Sequence, residues 1–128
     1  MKEDPNKIFI PGNCPSLKNS KGVIVRNGRG YLIPSELVQK YENANEWVYV
    51  ANKNKFLSMI KNSRKPLKIK FFFVRDTQRK FDYINAAQIV LDMMVKAELL
   101  PDDNMTEVIP IFDGYSVDKE NPGVYIYL

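Results

Sequence analysis

The chain has 128 residues with 45% hydrophobic content, enough for one domain with a sizeable core. It has no His and a single Cys, which argues against a zinc site, excludes an internal disulfide and leaves oxygen ligands for any hard cation. The formal charge is +4, but residues 1–80 hold 17 Lys or Arg against 6 Asp or Glu, whereas residues 81–128 hold 2 against 9. A basic body joined to an acidic patch suits a protein that holds phosphates with one part and a metal with the other. The plain alternative is a solubilising surface whose acids fall late in the chain. No apolar run approaches the length of a membrane span, so no membrane partner is expected. Lys2, Glu3 and Asp4 do not read as a signal peptide, and the lone Cys14 agrees with a reducing, cytoplasmic compartment.

In chain order, Lys7 to Ile10 reads as a first strand, stopped by Pro11 and Gly12. A polar loop from Asn13 to Lys21 leads to a β-branched strand, Gly22 to Arg26. Asn27 to Gly30 is a turn signal, and Tyr31 to Ile33 continue in extended form. Pro34, Ser35 and Glu36 open a helical pattern running from Leu37 to about Ile60, with a break expected near Asn43 to Asn45. Trp47 to Val50 fits a strand as well as a helix. Leu67 to Arg75 is the strongest strand signal: its first half alternates apolar residues with Lys, and Phe71 to Phe73 read as core of a central strand.

Lys80 to Asn104 is the stretch around which the rest is organised. Ile84, Ala87, Leu91, Met94 and Val95 recur at spacings of three and four, which predicts an amphipathic helix buried on one side. Pro101 marks its end, just before the paired acids Asp102 and Asp103. Asp82 at the entrance and Asp103 beyond the exit meet only if the loop folds back. On an ideal helix Asn85, Asp92 and Lys96 share a side. The structural alternative makes Asp82 a helix N-cap, Asp102 and Asp103 a solvated turn, and Ile84 an extension of the apolar stripe. Thr106 to Phe112 reads as a strand whose Pro110 argues for an edge, Asp113-Gly-Tyr as a turn, and Val124 to Leu128 as a final strand. The expected fold is mixed α/β: one domain over residues 1–128, a single mixed sheet against two or three helices.

The spacing of these acids resembles the RusA-type Holliday junction resolvases, whose Asp-x-Asp-Asn-x-x-Lys segment, helix Asp and Gly-x-x-x-Asp-Asp turn align here without a gap. The first Asp falls on Asp82, the Asn on Asn85, the helix Asp on Asp92, and the acid pair on Asp102 and Asp103. Cys14-Pro-Ser-Leu-Lys-Asn19 resembles the family's Pro-Ser-x-Asn entry loop. Two positions depart from the pattern: Ile84 stands where a second Asp is expected, and Gln88 where a Lys is expected. The resemblance implies a homodimeric endodeoxyribonuclease that cuts branched DNA with Mg²⁺ or Mn²⁺, of phage or prophage origin. It assigns catalysis and metal binding to Asp82, Asp102 and Asp103, with Asn85, Gln88 and Asp92 in support. Candidate DNA contacts are the basic residues Lys18, Lys21, Arg26 and Arg29, placed in loops beside glycines, together with Arg79 and Lys80. An impaired relative that binds junctions without cutting is the alternative reading, and a small basic protein-interaction domain the second.

Overall fold

The structure, a computed structural model, describes residues 4–16, 22–26, 29–33 and 36–128, with residues 22–26 and 29–33 described by their strand backbone alone. Its axis is the Leu67–Arg75 strand (β4), for which the alternation in sequence is decisive. Leu67, Ile69, Phe71 and Phe73 all point into the core and are at most 2% exposed. The strands Lys7–Pro11 (β1), Val108–Val117 (β5) and Gly123–Tyr127 (β6) complete one sheet in the order β1-β6-β4-β5. β1–β6 and β6–β4 are antiparallel, and β4–β5 is parallel. Gly22–Arg26 (β2) and Arg29–Ile33 (β3) form a separate antiparallel hairpin. The expected mixed α/β class, with a central β4 and Pro110 on an edge strand, is what the chain adopts.

The parallel β4–β5 pair needs a crossover, and the helix Tyr83–Lys96 (α3) supplies it. Its buried residues Ala86, Ala87, Val90, Leu91, Met93 and Met94 lie against the sheet. Two further helices, Glu36–Ala51 (α1) and Lys53–Met59 (α2), bring Tyr41, Val48, Tyr49 and Phe56 to the same cluster. The three helices therefore share one apolar cluster against one face of the sheet, while Leu37, Trp47, Val50 and Leu57 stay exposed on their outer sides. No helix among the described residues is long and apolar enough to cross a membrane.

Several local expectations are corrected. The long helical pattern breaks at Asn52 and not near Asn43 to Asn45. Asn45 instead sits inside α1, 4% exposed, donating from Nδ2 to the Tyr41 carbonyl at 3.1 Å. An Asn so bonded to the preceding turn does not compete with the helix. Trp47 to Val50 is helical throughout. Asp113-Gly114-Tyr115 is not a terminal turn: the β4–β5 register slips by one residue after Phe71, and the strand continues to Val117 across the bulge. Gly114 supplies the positive φ of 114° that the irregularity needs. α3 also stops earlier than Pro101 requires. Glu98 takes a φ of 64°, Leu99 N donates to the Met94 carbonyl at 2.8 Å, and Leu99 and Leu100 are buried.

Candidate functional site

This helix ending positions the acids. Because Glu98 turns the chain left-handed and two leucines pin it to the core, the following loop doubles back along α3. Asp103 thereby reaches the side of the helix that carries Gln88 and Asp92. Gln88 Nε2 donates to Asp92 Oδ1 at 2.8 Å and to Asp103 Oδ2 at 3.2 Å, so one amide nitrogen bridges two carboxylates. Gln88 and Asp92 are i and i+4 neighbours, as a helix surface requires. The sequence expectation that the loop folds back toward the helix is met at Asp103.

Asp82 holds a different place. It is the N-cap of α3, with extended φ and ψ of −107° and 112°, and its Oδ1 accepts from Ile84 N at 3.2 Å. Its Oδ2 accepts from Asn85 Nδ2 at 3.2 Å. That same Nδ2 donates to the Ser16 carbonyl at 3.3 Å, tying the entry loop to the helix. Asp82 and Gln88 are separated by six residues, about 9 Å along a helix axis at about 1.5 Å per residue. Asp102 spends its oxygens locally, on Asp103 N at 2.8 Å and Asn104 Nδ2 at 2.9 Å. The result is two linked carboxylate units and a turn, Asp82 with Asn85, Asp92 with Asp103 through Gln88, and Asp102 on its own loop. Among the described residues, no group of three or more acids is gathered to hold a metal ion.

An open groove of about 710 Å³ runs past the first unit, lined by Ser16, Lys80, Phe81, Asp82, Tyr83, Ile84, Asn85 and Phe112. Ile84 does not extend the apolar stripe of the helix: it is 68% exposed, at the groove, in the position where the resemblance expects a ligand. Aromatic rings form the wall below it. Phe81 meets Tyr83 at 4.8 Å and Tyr115 at 5.4 Å between ring centroids, and Tyr83 stacks on Phe112 at 5.6 Å. Sequence reasoning missed Phe112 and Tyr115, because they lie on a strand read as ending at Phe112. Phe112 pairs with Phe71 just before the bulge, and the bulge brings Tyr115, opposite Phe73, to the same side.

The candidate basic residues divide. Arg79 and Lys80 are exposed, and Lys80 lines the groove beside Asp82. Arg26 and Arg29 are not in a loop as expected but are paired at the end of the β2–β3 hairpin; their side chains, with Lys18 and Lys21, lie outside the described residues. Arg75, which had no assigned role, is buried under the groove. Its guanidinium donates to the Cys14 carbonyl and stacks on the Phe81 ring 4.5 Å away. Burial lowers its pKa, opposed by the nearby Cys14 and Asp76. No protein-family model matches the chain, and no curated protein is significantly similar to it.

Proposed function

We propose that this chain binds branched DNA as a RusA-like protein, with its Mg²⁺- or Mn²⁺-dependent phosphodiester hydrolysis reduced to a slow or undetectable rate. The observation that carries the reading is Gln88 standing between Asp92 and Asp103, where the resemblance places a Lys, with Ile84 turned out into the groove beside Asp82. Two acids bridged by one neutral amide keep the shape of a charged site without its cation.

The donor set fits a hard cation held by few protein ligands, since Mg²⁺ works with one or two carboxylates plus water and phosphate oxygens. Asp92 and Asp103 are the pair that would hold it, with Asp82 at the head of the groove. Such an ion supplies a water of lowered pKa and neutralises charge developing on the phosphate. The chain's own residues do the rest. Lys80 offers a cation to the DNA backbone, Asn85 holds Asp82 against the entry loop, and Gln88 positions Asp103 but carries no charge for an anionic transition state. A homodimer of such sites matches the two-fold symmetry of a four-way junction, and a cytoplasmic location suits both substrate and free thiol.

A labelled four-way junction tests this. Binding is expected to weaken steeply with salt, because phosphate neutralisation releases counterions. Cleavage by the unmodified chain is expected to be slow, and the Ile84→Asp, Gln88→Lys double variant to cut on the order of a hundred- to a thousand-fold faster. Either change alone is expected to achieve much less, because groups that act as a unit are non-additive. Fast metal-dependent cutting by the unmodified chain overturns the reduced rate. Affinity indifferent to salt overturns the nucleic-acid reading itself.

A further inference from the structure

We propose that the sheet face opposite the helices is a platform for single-stranded nucleic acid, with a nucleobase seated between Phe72, Tyr125 and Tyr127. This surface is separate from the acid groove, and the proposal stands without the reading given above.

The registers of the sheet place two rows of side chains across this face. Lys7 pairs with Tyr127 and Tyr127 with Lys70, giving the row Lys7-Tyr127-Lys70. One step along, Phe9 pairs with Tyr125 and Tyr125 with Phe72, giving Phe9-Tyr125-Phe72. Lys68 extends the basic line along β4 and is exposed. Three aromatic rings in one row, flanked by a row with a cation on each side of a tyrosine, is the arrangement that stacks bases and holds their phosphates.

One glycine lets a ring lie low, and a second sits in ordinary contact with another ring. A Cβ at Gly123 would sit 2.3 Å from Phe9 Cζ, so only glycine lets that ring cover β6. A Cβ at Gly114 would sit 3.6 Å from the Phe72 ring, at the bulge already described. Between the rings lies a cavity of about 340 Å³ lined by Lys7, Phe72, Asp113, Tyr125 and Tyr127. That is near the small end of ligand sites, which run from about 300 Å³. Tyr125 is 37% exposed at its rim, and the Lys7 ammonium sits 4.8 Å from the Tyr127 ring centroid.

The polar groups of the cavity give it a preference. Tyr127 donates its hydroxyl to Asp113 Oδ2, and burial with the neighbouring carboxylate pushes this phenol up to about 12, so it stays a donor. Asp113 keeps acceptor capacity for an exocyclic amino group, as acidic side chains use toward cytosine. Cytosine and adenine strands therefore suit the cavity better than thymine strands.

Charge selects the occupant. Among the described residues, Lys7, Lys68 and Lys70 stand on this face with Asp113 as the acid of the cavity, and that acid is bonded to Tyr127. A second copy of the chain laid face to face would set these lysines against their own kind. A polyanion bearing flat rings meets both the charges and the aromatics.

The test is fluorescence anisotropy of labelled single-stranded dC, dA and dT oligonucleotides with the full chain across a salt series. Expected is salt-sensitive binding with dC and dA tighter than dT. Tyr125→Ala should weaken it about ten-fold, Tyr125→Phe should retain it, and Asp113→Ala should remove the preference over dT. Lys70→Glu should weaken binding to every sequence and flatten the salt dependence. If Tyr125→Ala does not fold by circular dichroism, Lys70→Glu and Asp113→Ala decide. Unchanged affinity in the folded variants overturns the proposal. So does self-association that Tyr125→Ala abolishes, or binding confined to an acidic protein. Oligonucleotide binding and junction cleavage read different surfaces, so the failure of either leaves the other measurable.

Discussion

Two polar networks each hold the short loop of residues 12–16, the outer one through Asn85, and burial makes them different kinds of object. The inner one joins Arg75 to the Cys14 carbonyl, Cys14 Sγ to the Ala86 carbonyl at 3.4 Å, and Tyr41 to Tyr49 hydroxyl to hydroxyl at 2.8 Å. The outer one has two separate units, Asn85 with Ser16 and Asp82, and farther along α3 Gln88 with Asp92 and Asp103. Every inner member lies beneath the surface, where an unpaired polar group costs its full desolvation. Of the outer members, Asp82, Gln88 and Asp92 are exposed and Ser16, Asn85 and Asp103 half-buried, so water can replace a lost partner. The inner network is therefore fixed by stability, and the outer one is free to be set by function.

Alkaline pH separates the two most strongly. Burial pushes the Cys14 thiol from 9.0 up to about 12, and raises Tyr41 and Tyr49 above their ordinary 10.0. The folded chain thus keeps protons that the unfolded chain releases. Stability is full below about pH 9 and falls as pH rises toward the folded pKa values, by up to about 1.4 kcal/mol per pH unit for each group. Urea denaturation between pH 8 and pH 11 should show a loss of several kcal/mol, partly relieved in Cys14→Ala above pH 9. A flat profile would place these groups in water and erase the distinction.

Arg75→Ala comes next, at about 2–3 kcal/mol, because it strands the buried Cys14 carbonyl and removes the cation from the Phe81 ring. Arg75→Lys should recover little, since an ammonium lacks the planar guanidinium. Equal midpoints for variant and parent in denaturant would show that water reaches this carbonyl. Tyr49→Phe, leaving the Tyr41 hydroxyl with Cys14 alone, should cost about 1 kcal/mol by the same measurement.

The inner network was illegible in sequence for the same reason that it is rigid: its members are far apart in the chain and meet only after packing. Arg75 read as the end of a strand, and Cys14 as a sign of compartment. The elements themselves were legible where periodicity is strong, as in β4 and α3, and where a cap residue such as Asp82 stands before an apolar run. Legibility failed where one residue alters the path. Asn45 looks like a breaker until it bonds the Tyr41 carbonyl, and Asp113-Gly114 looks like a turn until the bulge keeps it in the strand. The candidate site was half legible. Acid spacing marked Asp82, Asp102 and Asp103 with Asp92 in support, but Gln88 as the bridge from Asp92 to Asp103 depends on the left-handed Glu98 and the burial of Leu99 and Leu100, which no local pattern announces. Likewise, Lys68 and Lys70 read as a solvent face, and the row of aromatics across three strands appears only once the register is known.

The smallest expected effect is the most informative about the outer network. Ile84 is a large apolar residue on α3, yet 68% of it meets solvent, so replacing it removes little buried area. Ile84→Asp places a carboxylate in the first turn of the helix, which the helix dipole favours by about 0.3–1 kcal/mol, while the adjacent Asp82 opposes it. These terms offset, and the variant should unfold within about 0.5 kcal/mol of the parent, as surface substitutions usually do. Gln88→Lys should be equally neutral, since its ammonium inherits Asp92 and Asp103 as partners in an exposed setting. If both hold, a change in cleavage by the double variant reads chemistry and not folding. A loss above 1 kcal/mol for Ile84→Asp would mean that Ile84 is covered in solution, by a partner surface over the groove, and the exposed network would then belong with the buried one.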